Sequence, residues 1–174
     1  MSTLKLLDNW EDLLPVERRN KLLEFESVCK ELEDSGNKVE LPPTELHCNG
    51  VYAREILIPK GTALVGEIHL QDQINVVSQG VIRVATEEGV RTITAPCTFI
   101  SPAGTKRAGF ALEDTVWTVF HATKHTNEED IRRDFIAPSY TELDKQLENK
   151  QDVMGSSSGS SGNNTLSNEP SKKS

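Results

Sequence analysis

The sequence predicts an all-β core, a β-sandwich or small barrel, with helical segments on either side. Residues 66–80 and the stretch that follows, to about residue 94, alternate short β-branched runs with glycine turns. That pattern is typical of half-buried strands joined by hairpins. Short strands and explicit turns then continue at the same spacing to residue 121. Eight strands spaced in this way favour a jelly roll or a small barrel.

Composition narrows the class of protein. The chain has 174 residues, of which 36% are hydrophobic and 26% charged, enough for one domain with extensions. It contains no apolar run near the roughly 20 residues that span a bilayer, and its N-terminus has no signal-peptide core, so we expect no secretion. Cys29, Cys48 and Cys97 form no CxxC pair, so reduced thiols are expected, with Cys97 packed in a strand.

The net charge of −8 comes from the two flanks. Residues 1–50 carry 6 basic and 11 acidic groups, residues 51–125 carry 7 of each, and residues 126–174 carry 6 and 9. A neutral centre between acidic arms has no basic stripe to neutralise phosphates. We therefore expect no nucleic-acid partner and no anionic membrane partner.

Residues 1–50 predict a helical arm and a linker. A short helix is expected over 4–14, where Asp8 and Glu11 have the spacing of a capping box. A clearer amphipathic helix is expected over 15–34, starting at Pro15. Its apolar positions recur at three- and four-residue steps: Val16, Leu22, Phe25, Val28, Cys29 and Leu32. It would cover one face of the β core, or alternatively bind a partner. Prolines 42 and 43 then favour a linker over 36–50.

The β domain is expected over 51–125. Its predicted strands are 51–58, 63–70, 74–78, 81–86, 90–94, 98–101, 107–112 and 115–121. After it, residues 126–154 predict two short helices near 127–136 and 140–150, with capping boxes at Thr126/Glu129 and Ser139/Glu142. Residues 155–174 contain one leucine and no aromatic residue, so a disordered tail is expected.

Two groups of residues in the β region resemble the two motifs of the cupin superfamily. Those at the positions of the first motif are Gly61, Glu67, His69, Gln73 and Gly80, and those of the second are Pro102, Gly104 and Arg107. The resemblance implies a double-stranded β-helix, that is, a jelly-roll barrel. It also implies a departure from the metal-binding pattern, since Glu67 replaces the first His, Gln73 the Glu and Arg107 the last His. The sequence of residues 51–123 is similar to that of small cupin-like proteins of tailed bacteriophages, whose role is generally unassigned.

These replacements disfavour a tight metal site. Glu67 and His69 supply two ligands, a Gln amide is a poor third, and Arg107 would repel a cation. If a divalent metal binds at all, His121 is the expected extra ligand; otherwise His121 is a rim residue bonded to solvent or backbone. We therefore expect no cofactor.

The same region fits an anion better. Lys106 and Arg107 follow the PxG turn, and alternate strand residues share a face, so His69, Gln71 and Gln73 would line one wall if their strand is unbroken. The predicted ligand-binding set is His69, Gln71, Gln73, Lys106, Arg107 and His121. A carboxylate, a phosphate or a sugar would suit it. In the alternative, Lys106 and Arg107 form an exposed turn paired with Glu113 and Asp114.

Three hypotheses about function follow. The first is a non-catalytic binding module of a phage, in the host cytoplasm, that captures a small polar or anionic ligand or a host protein. The second is a metal-dependent cupin enzyme centred on His69, and the third is a virion or assembly component with the barrel as scaffold. No GxSxG, Walker or Rossmann pattern supports other chemistry. A homodimer is also expected, through strand 51–58 as an exposed sheet edge, unless the N-terminal helix covers that edge.

Overall fold

The computed structural model describes residues 7–146, and within them two antiparallel sheets face each other. Its strands are β1 (Thr44–Cys48), β2 (Val51–Ile58), β3 (Ala63–Val65), β4 (Ile68–His69), β5 (Gln73–Gln79), β6 (Val81–Thr86), β7 (Gly89–Thr94), β8 (Cys97–Ser101), β9 (Ala108–Ala111), β10 (Thr115–Ala122) and β11 (Ile136–Ala137). One sheet has the order β1-β2-β10-β5-β8, the other β3-β9-β6-β7, and β4 pairs with β11. The predicted all-β jelly-roll core with flanking helices is confirmed.

The strands lie close to their predicted positions, with one break. β2 and β6 have the predicted bounds, whereas the predicted strand 63–70 is split into β3 and β4. The split follows from a change of partner. The N–H of Gly66 still donates to the carbonyl of Arg107 at 2.8 Å, beside β9, and two residues later the chain pairs with β11 instead. The turn between β5 and β6 requires glycine, because Gly80 has φ +83° and a Cβ there would collide with the carbonyl of Asp114.

The stretch 36–50, predicted as a linker, contains β1. All five residues of β1 are exposed, so the strand lacks the apolar alternation by which a sequence reveals one. β1 pairs with β2 along its whole length, from Thr44 opposite Glu55 to Cys48 opposite Val51. β2 also pairs with β10 on its other side. The expectation that strand 51–58 is an exposed edge is therefore wrong.

The N-terminal arm covers the outer face of the four-stranded sheet. Helix α1 (Pro15–Leu32) is followed by one π-helical turn, Glu33–Asn37. Leu7, Trp10, Leu22 and Phe25 are buried against Ala85 and Ala108 of that sheet. The indole Nε1 of Trp10 donates to the carbonyl of Thr86 at 2.8 Å.

The arm departs from its prediction in two ways. A 3₁₀ turn, Trp10–Asp12, replaces the described part of the helix expected over 4–14, because Asn9 before it is left-handed (φ 58°) and caps nothing with its side chain. Residues 1–6 lie outside the described residues. The apolar stripe of α1 is also narrower than predicted, since Val16 and Leu32 are exposed.

The space between the sheets is apolar at one end. A cluster of buried side chains from both sheets fills that end: Ile58, Val77, Ile82, Val84, Ile93, Ala111 and Trp117. Cys97 is partly buried against this cluster, in agreement with its predicted packing role, and all three thiols are free. At the end of this space that lies towards β4, the side chains are polar.

The C-terminal region begins with helix α2 (Glu128–Phe135). Its N-cap is Asn127, whose side chain accepts from the N–H of Asp130, so the expected capping box at Thr126 is displaced by one residue. Ser139 does cap the next helical residues, 140–146, by accepting from the N–H of Glu142. One compact unit ends at Leu143, and of the next only residues 144–146 are described. The predicted tail, 155–174, lies outside the described residues. Among residues 7–146, no helix is long and apolar enough to cross a membrane.

Candidate ligand-binding site

A cavity of about 930 Å³ extends between the two sheets and is bordered by β4 and α2. Its inner part is lined by apolar side chains, Ile56, Ile58, Leu64, Ile82, Val84 and Val119. Its polar wall consists of Tyr52, His69, Arg107 and His121, with Trp117 beside them. The size is that of a pocket for a small organic molecule.

Two histidines face each other on the polar wall. The rings of His69, from β4, and His121, from β10, are 5.2 Å apart between centroids and nearly parallel. His121 also lies 4.4 Å from the ring of Phe135 in α2. Burial, followed by the charges of His121, Arg107 and Arg54, lowers the pKa of His69 to about 3. Burial alone lowers the pKa of His121 to about 4, so both imidazoles are neutral at pH 7.

Arg107 is a buried cation in this wall. Its guanidinium carbon is 5.6 Å from the centroid of the Trp117 ring. Burial, followed by the charge of Arg91, lowers the pKa of Arg107 to about 10, which still leaves it charged at pH 7. Its Nη2 is buried without a hydrogen-bond partner. The alternative prediction, an exposed turn paired with Glu113 and Asp114, is therefore wrong for Arg107.

A hydrogen-bonded chain supports the wall from behind. The indole Nε1 of Trp117 donates to Oδ1 of Asn75 at 3.0 Å. The amide of Asn75 in turn donates to Oγ of Ser101 and to the carbonyl of Gln73, both at 3.1 Å. Gln73 itself is only 2% exposed, yet neither its amide nitrogen nor its amide oxygen has a partner. Asn75 is therefore satisfied and fixed, whereas the side chain of Gln73 is not.

Gln71 and Lys106, two members of the predicted set, lie elsewhere. Gln71 follows the end of β4, and its amide nitrogen is 3.4 Å from the carbonyl of Asp134. The shared face with His69 and Gln73 required an unbroken strand, and the chain turns between β4 and β5. Lys106 extends to the opposite side of the sheet, where its Nζ is 2.7 Å from Oε1 of Glu26 in α1. The structure thus brings His69, Arg107 and His121 together around the cavity, whereas Gln73 is buried on β5 and is not among the lining residues.

Glu67 is engaged at the mouth of the cavity. Both of its carboxylate oxygens accept from the guanidinium of Arg132 in α2, Oε2 at 3.2 Å. That leaves the phenol of Tyr52, two neutral imidazoles and the guanidinium of Arg107 as the polar wall. Within residues 7–146, no three His, Cys, Asp or Glu side chains are grouped as they would be to hold a metal ion. This donor set does not fit a divalent metal, which requires several anionic or imidazole ligands at one point.

Some residues of the site were missed by the sequence prediction. Asn75 and Val77 follow Gln73 at steps of two on β5, so the alternation that places Gln73 inside could also have placed Asn75 there. Trp117 and Val119 precede His121 on β10 by the same rule. Nothing in the local sequence indicated that Phe135 and Arg132 contribute to the site, because their contribution depends on how α2 packs.

No family model matches the chain, and neither does any curated protein. Among solved structures, KdgF from Halomonas sp. matches at 23% identity over 54% of this chain and 89% of its own, with a TM-score of 0.43. A cupin-2 domain protein from Shewanella frigidimarina matches at 15% identity over 53% and 91%, with a TM-score of 0.41. An acetylacetone dioxygenase from Acinetobacter johnsonii matches at 16% identity over 49% and 61%, with a TM-score of 0.42. At these scores none of the three bears on the activity or the ligand of this chain.

Proposed function

We propose that the protein is a binding module whose cavity captures a small molecule through an anionic group, with Arg107 as the counter-ion. The observation that carries this proposal is the buried, charged guanidinium whose Nη2 has no partner in the protein. A carboxylate is the natural partner for such a group, because guanidinium and carboxylate form two parallel hydrogen bonds.

The neighbours of Arg107 support the same proposal. Among the described residues few buried side-chain nitrogen or oxygen atoms lack a partner, and three of them belong to this wall: Nδ1 of His69, Nη2 of Arg107 and Nδ1 of His121. An unsatisfied buried polar group costs about 1–3 kcal/mol. A bound anion would accept from Arg107 and from a neutral imidazole N–H, and so reduce that cost.

The setting belongs to the same proposal. The resemblance of residues 51–123 to small cupin-like proteins of tailed phages is the basis on which we propose a role in the cytoplasm of an infected host. Capture of a host protein, or service as a scaffold in a virion, would use the outer surfaces and not the cavity. Both are distinguishable from the proposed function because neither depends on Arg107.

An NMR titration of the full chain tests the proposal. The probes are small carboxylic acids and phosphate, each acid matched with its uncharged amide. We expect only the anions to shift the indole Nε1 resonance of Trp117 and the backbone amide of Gly109, and Arg107→Gln to remove the shifts. Lys106→Gln, which deletes the same charge outside the cavity, is the control and should retain them. Equal binding of acids and amides, or binding that survives Arg107→Gln, would refute the proposal.

A metal-dependent enzyme is the second candidate, favoured by one observation, the 5.2 Å approach of the His69 and His121 rings. Calorimetric titration with zinc, manganese and nickel separates the two. We expect weak binding or none. A stoichiometric site of sub-micromolar affinity that disappears in His69→Ala would make the enzyme the leading hypothesis.

A further inference from the structure

Resting on the proposed function, we infer that the ligand is an amphiphilic carboxylic acid, with its carboxylate at Arg107 and an apolar body along the inner cavity. The juxtaposition that carries this inference is a buried guanidinium, that of Arg107, placed directly beside apolar residues of the cavity lining. Arg107 lies over the face of Trp117, and Trp117 is also part of the apolar cluster.

The apolar lining starts directly beside the charge. On β10 the inward residues are His121, Val119 and Trp117. The wall therefore changes from polar to apolar between one inward residue of the strand and the next. On β2, the neighbouring strand of the same sheet, Ile56 and Ile58 continue the apolar surface. The indole N–H of Trp117 is already used by Asn75, so its ring offers the cavity an apolar face.

Apolar side chains also border the outer part of the cavity, among charged ones. The cavity is bordered beyond β3 by Leu32 at the end of α1 and by Val39 and Leu41 after it. Leu32 and Val39 are exposed although they are large and apolar. A ligand with an extended apolar body would cover this surface as well as the interior.

The charge and the lining together disfavour the other anions. A phosphate carries nearly two charges, and Arg107 stands beside two neutral imidazoles. A sugar acid would place several hydroxyl groups against Ile56, Leu64 and Val84, where they would lose hydrogen bonds to water. An alkyl or aromatic carboxylate has neither cost.

Calorimetry of the full chain with hexanoate, octanoate, decanoate, glucuronate and inorganic phosphate tests the inference. We expect affinity to rise about fourfold for each methylene that becomes buried, and glucuronate and phosphate to bind far more weakly than octanoate. If glucuronate or phosphate binds in an Arg107-dependent way and octanoate does not, the proposed function stands and the amphiphilic ligand is wrong. If none of the five binds, both are wrong.

A pair of variants on one strand locates the apolar body. Val119→Thr places a hydroxyl on the cavity side of β10 at nearly constant volume, whereas Val116→Thr places one on the outer side. We expect Val119→Thr to weaken the binding of octanoate at least fivefold and to make affinity depend less on the length of the alkyl chain. Val116→Thr should change neither. Equal effects of the two substitutions would show that the alkyl chain does not lie along the cavity.

Discussion

The guanidinium carbon of Arg107 lies 5.6 Å from the centroid of the Trp117 ring, and no ion pair joins Arg107 to a carboxylate within the described residues. The indole below it is fixed by its hydrogen bond to Asn75, which is held by Ser101 and Gln73. The indole ring and the hydrogen-bonded chain behind it therefore help to position Arg107. Its charge is left available to a ligand, at a cost to the stability of the free protein.

That cost leads to a prediction about Arg107→Met. Replacing a buried charge that has no partner by an apolar side chain of similar length removes a desolvation penalty. We expect the free energy of unfolding, measured by urea denaturation without ligand, to increase by about 1–3 kcal/mol. Binding of anions to the same variant should be lost.

Lys106→Met is the matched control, because it removes the neighbouring cation, which is paired with Glu26. Breaking a pair in which Glu26 is half exposed should leave stability equal or slightly lower. If Arg107→Met destabilises the protein as much as Lys106→Met does, Arg107 has a structural partner and the free-cation argument fails.

His69 and His121 predict a specific dependence of stability on pH. Their pKa values in the folded protein, about 3 and about 4, are below the 6.5 of a free histidine. Between pH 6.5 and these values the unfolded chain binds more protons than the folded one, so stability is lost as pH falls through that window. The double variant His69→Gln/His121→Gln should lose less stability between pH 7 and 4.5 in urea denaturation. The slopes of the two curves of stability against pH should differ by the equivalent of up to about two bound protons. Parallel profiles would mean that the histidines are protonated normally.

Most of the fold could be predicted from the sequence because its strands alternate and its turns contain glycine. β2 and β6 were predicted to the residue, and α1 from Pro15. β1 could not be predicted, since an all-exposed edge strand has no pattern of its own and exists only because β2 offers it a pairing partner. The break between β3 and β4 depends in the same way on β11, which lies almost 70 residues further along the chain.

The candidate site was predictable in part for the same reason. His69, Gln73 and Arg107 came from motif spacing, and His121 from the expectation that the last strand lies near them. Gln71 was placed by an alternation that the turn after β4 interrupts. Lys106 was grouped with its neighbour Arg107, although adjacent residues near a strand point to opposite faces, and its partner Glu26 is on a helix 80 residues away.

The covering role of the N-terminal arm can be tested with two residues of α1. Phe25 is fully buried on the four-stranded sheet, whereas Leu23 is exposed on the same helix. Phe25→Ala should lower the free energy of unfolding by about 3–5 kcal/mol, and Leu23→Ala should change it little. Deletion of residues 1–36 should expose the apolar face of that sheet and lower solubility. A truncated core that stays soluble and equally stable would instead assign α1 to a partner.

The outer face of the five-stranded sheet carries an apolar row that crosses all five strands. Its members are register partners: Leu46 opposite Ala53, Ala53 opposite Phe120, Phe120 opposite Ile74, and Ile74 opposite Ile100. Leu46, Ile74 and Ile100 are 59%, 50% and 68% exposed. The outer face of the four-stranded sheet, in contrast, is covered by α1.

We therefore expect the homodimer to form through this row and not through an edge of β2. A two-fold axis would place the same row on both copies, so one apolar patch would be buried against itself. Light scattering should give twice the 19.3 kDa of one chain at micromolar concentration. Ile100→Lys should return the mass to that of the monomer, because it places a charge within the buried patch. Leu23→Lys, on α1, is the control and should remain dimeric. A monomeric mass across a tenfold dilution series of the unmodified chain would show that the row does not pair two copies, since an interface able to hold at micromolar concentration must persist through the upper part of that series.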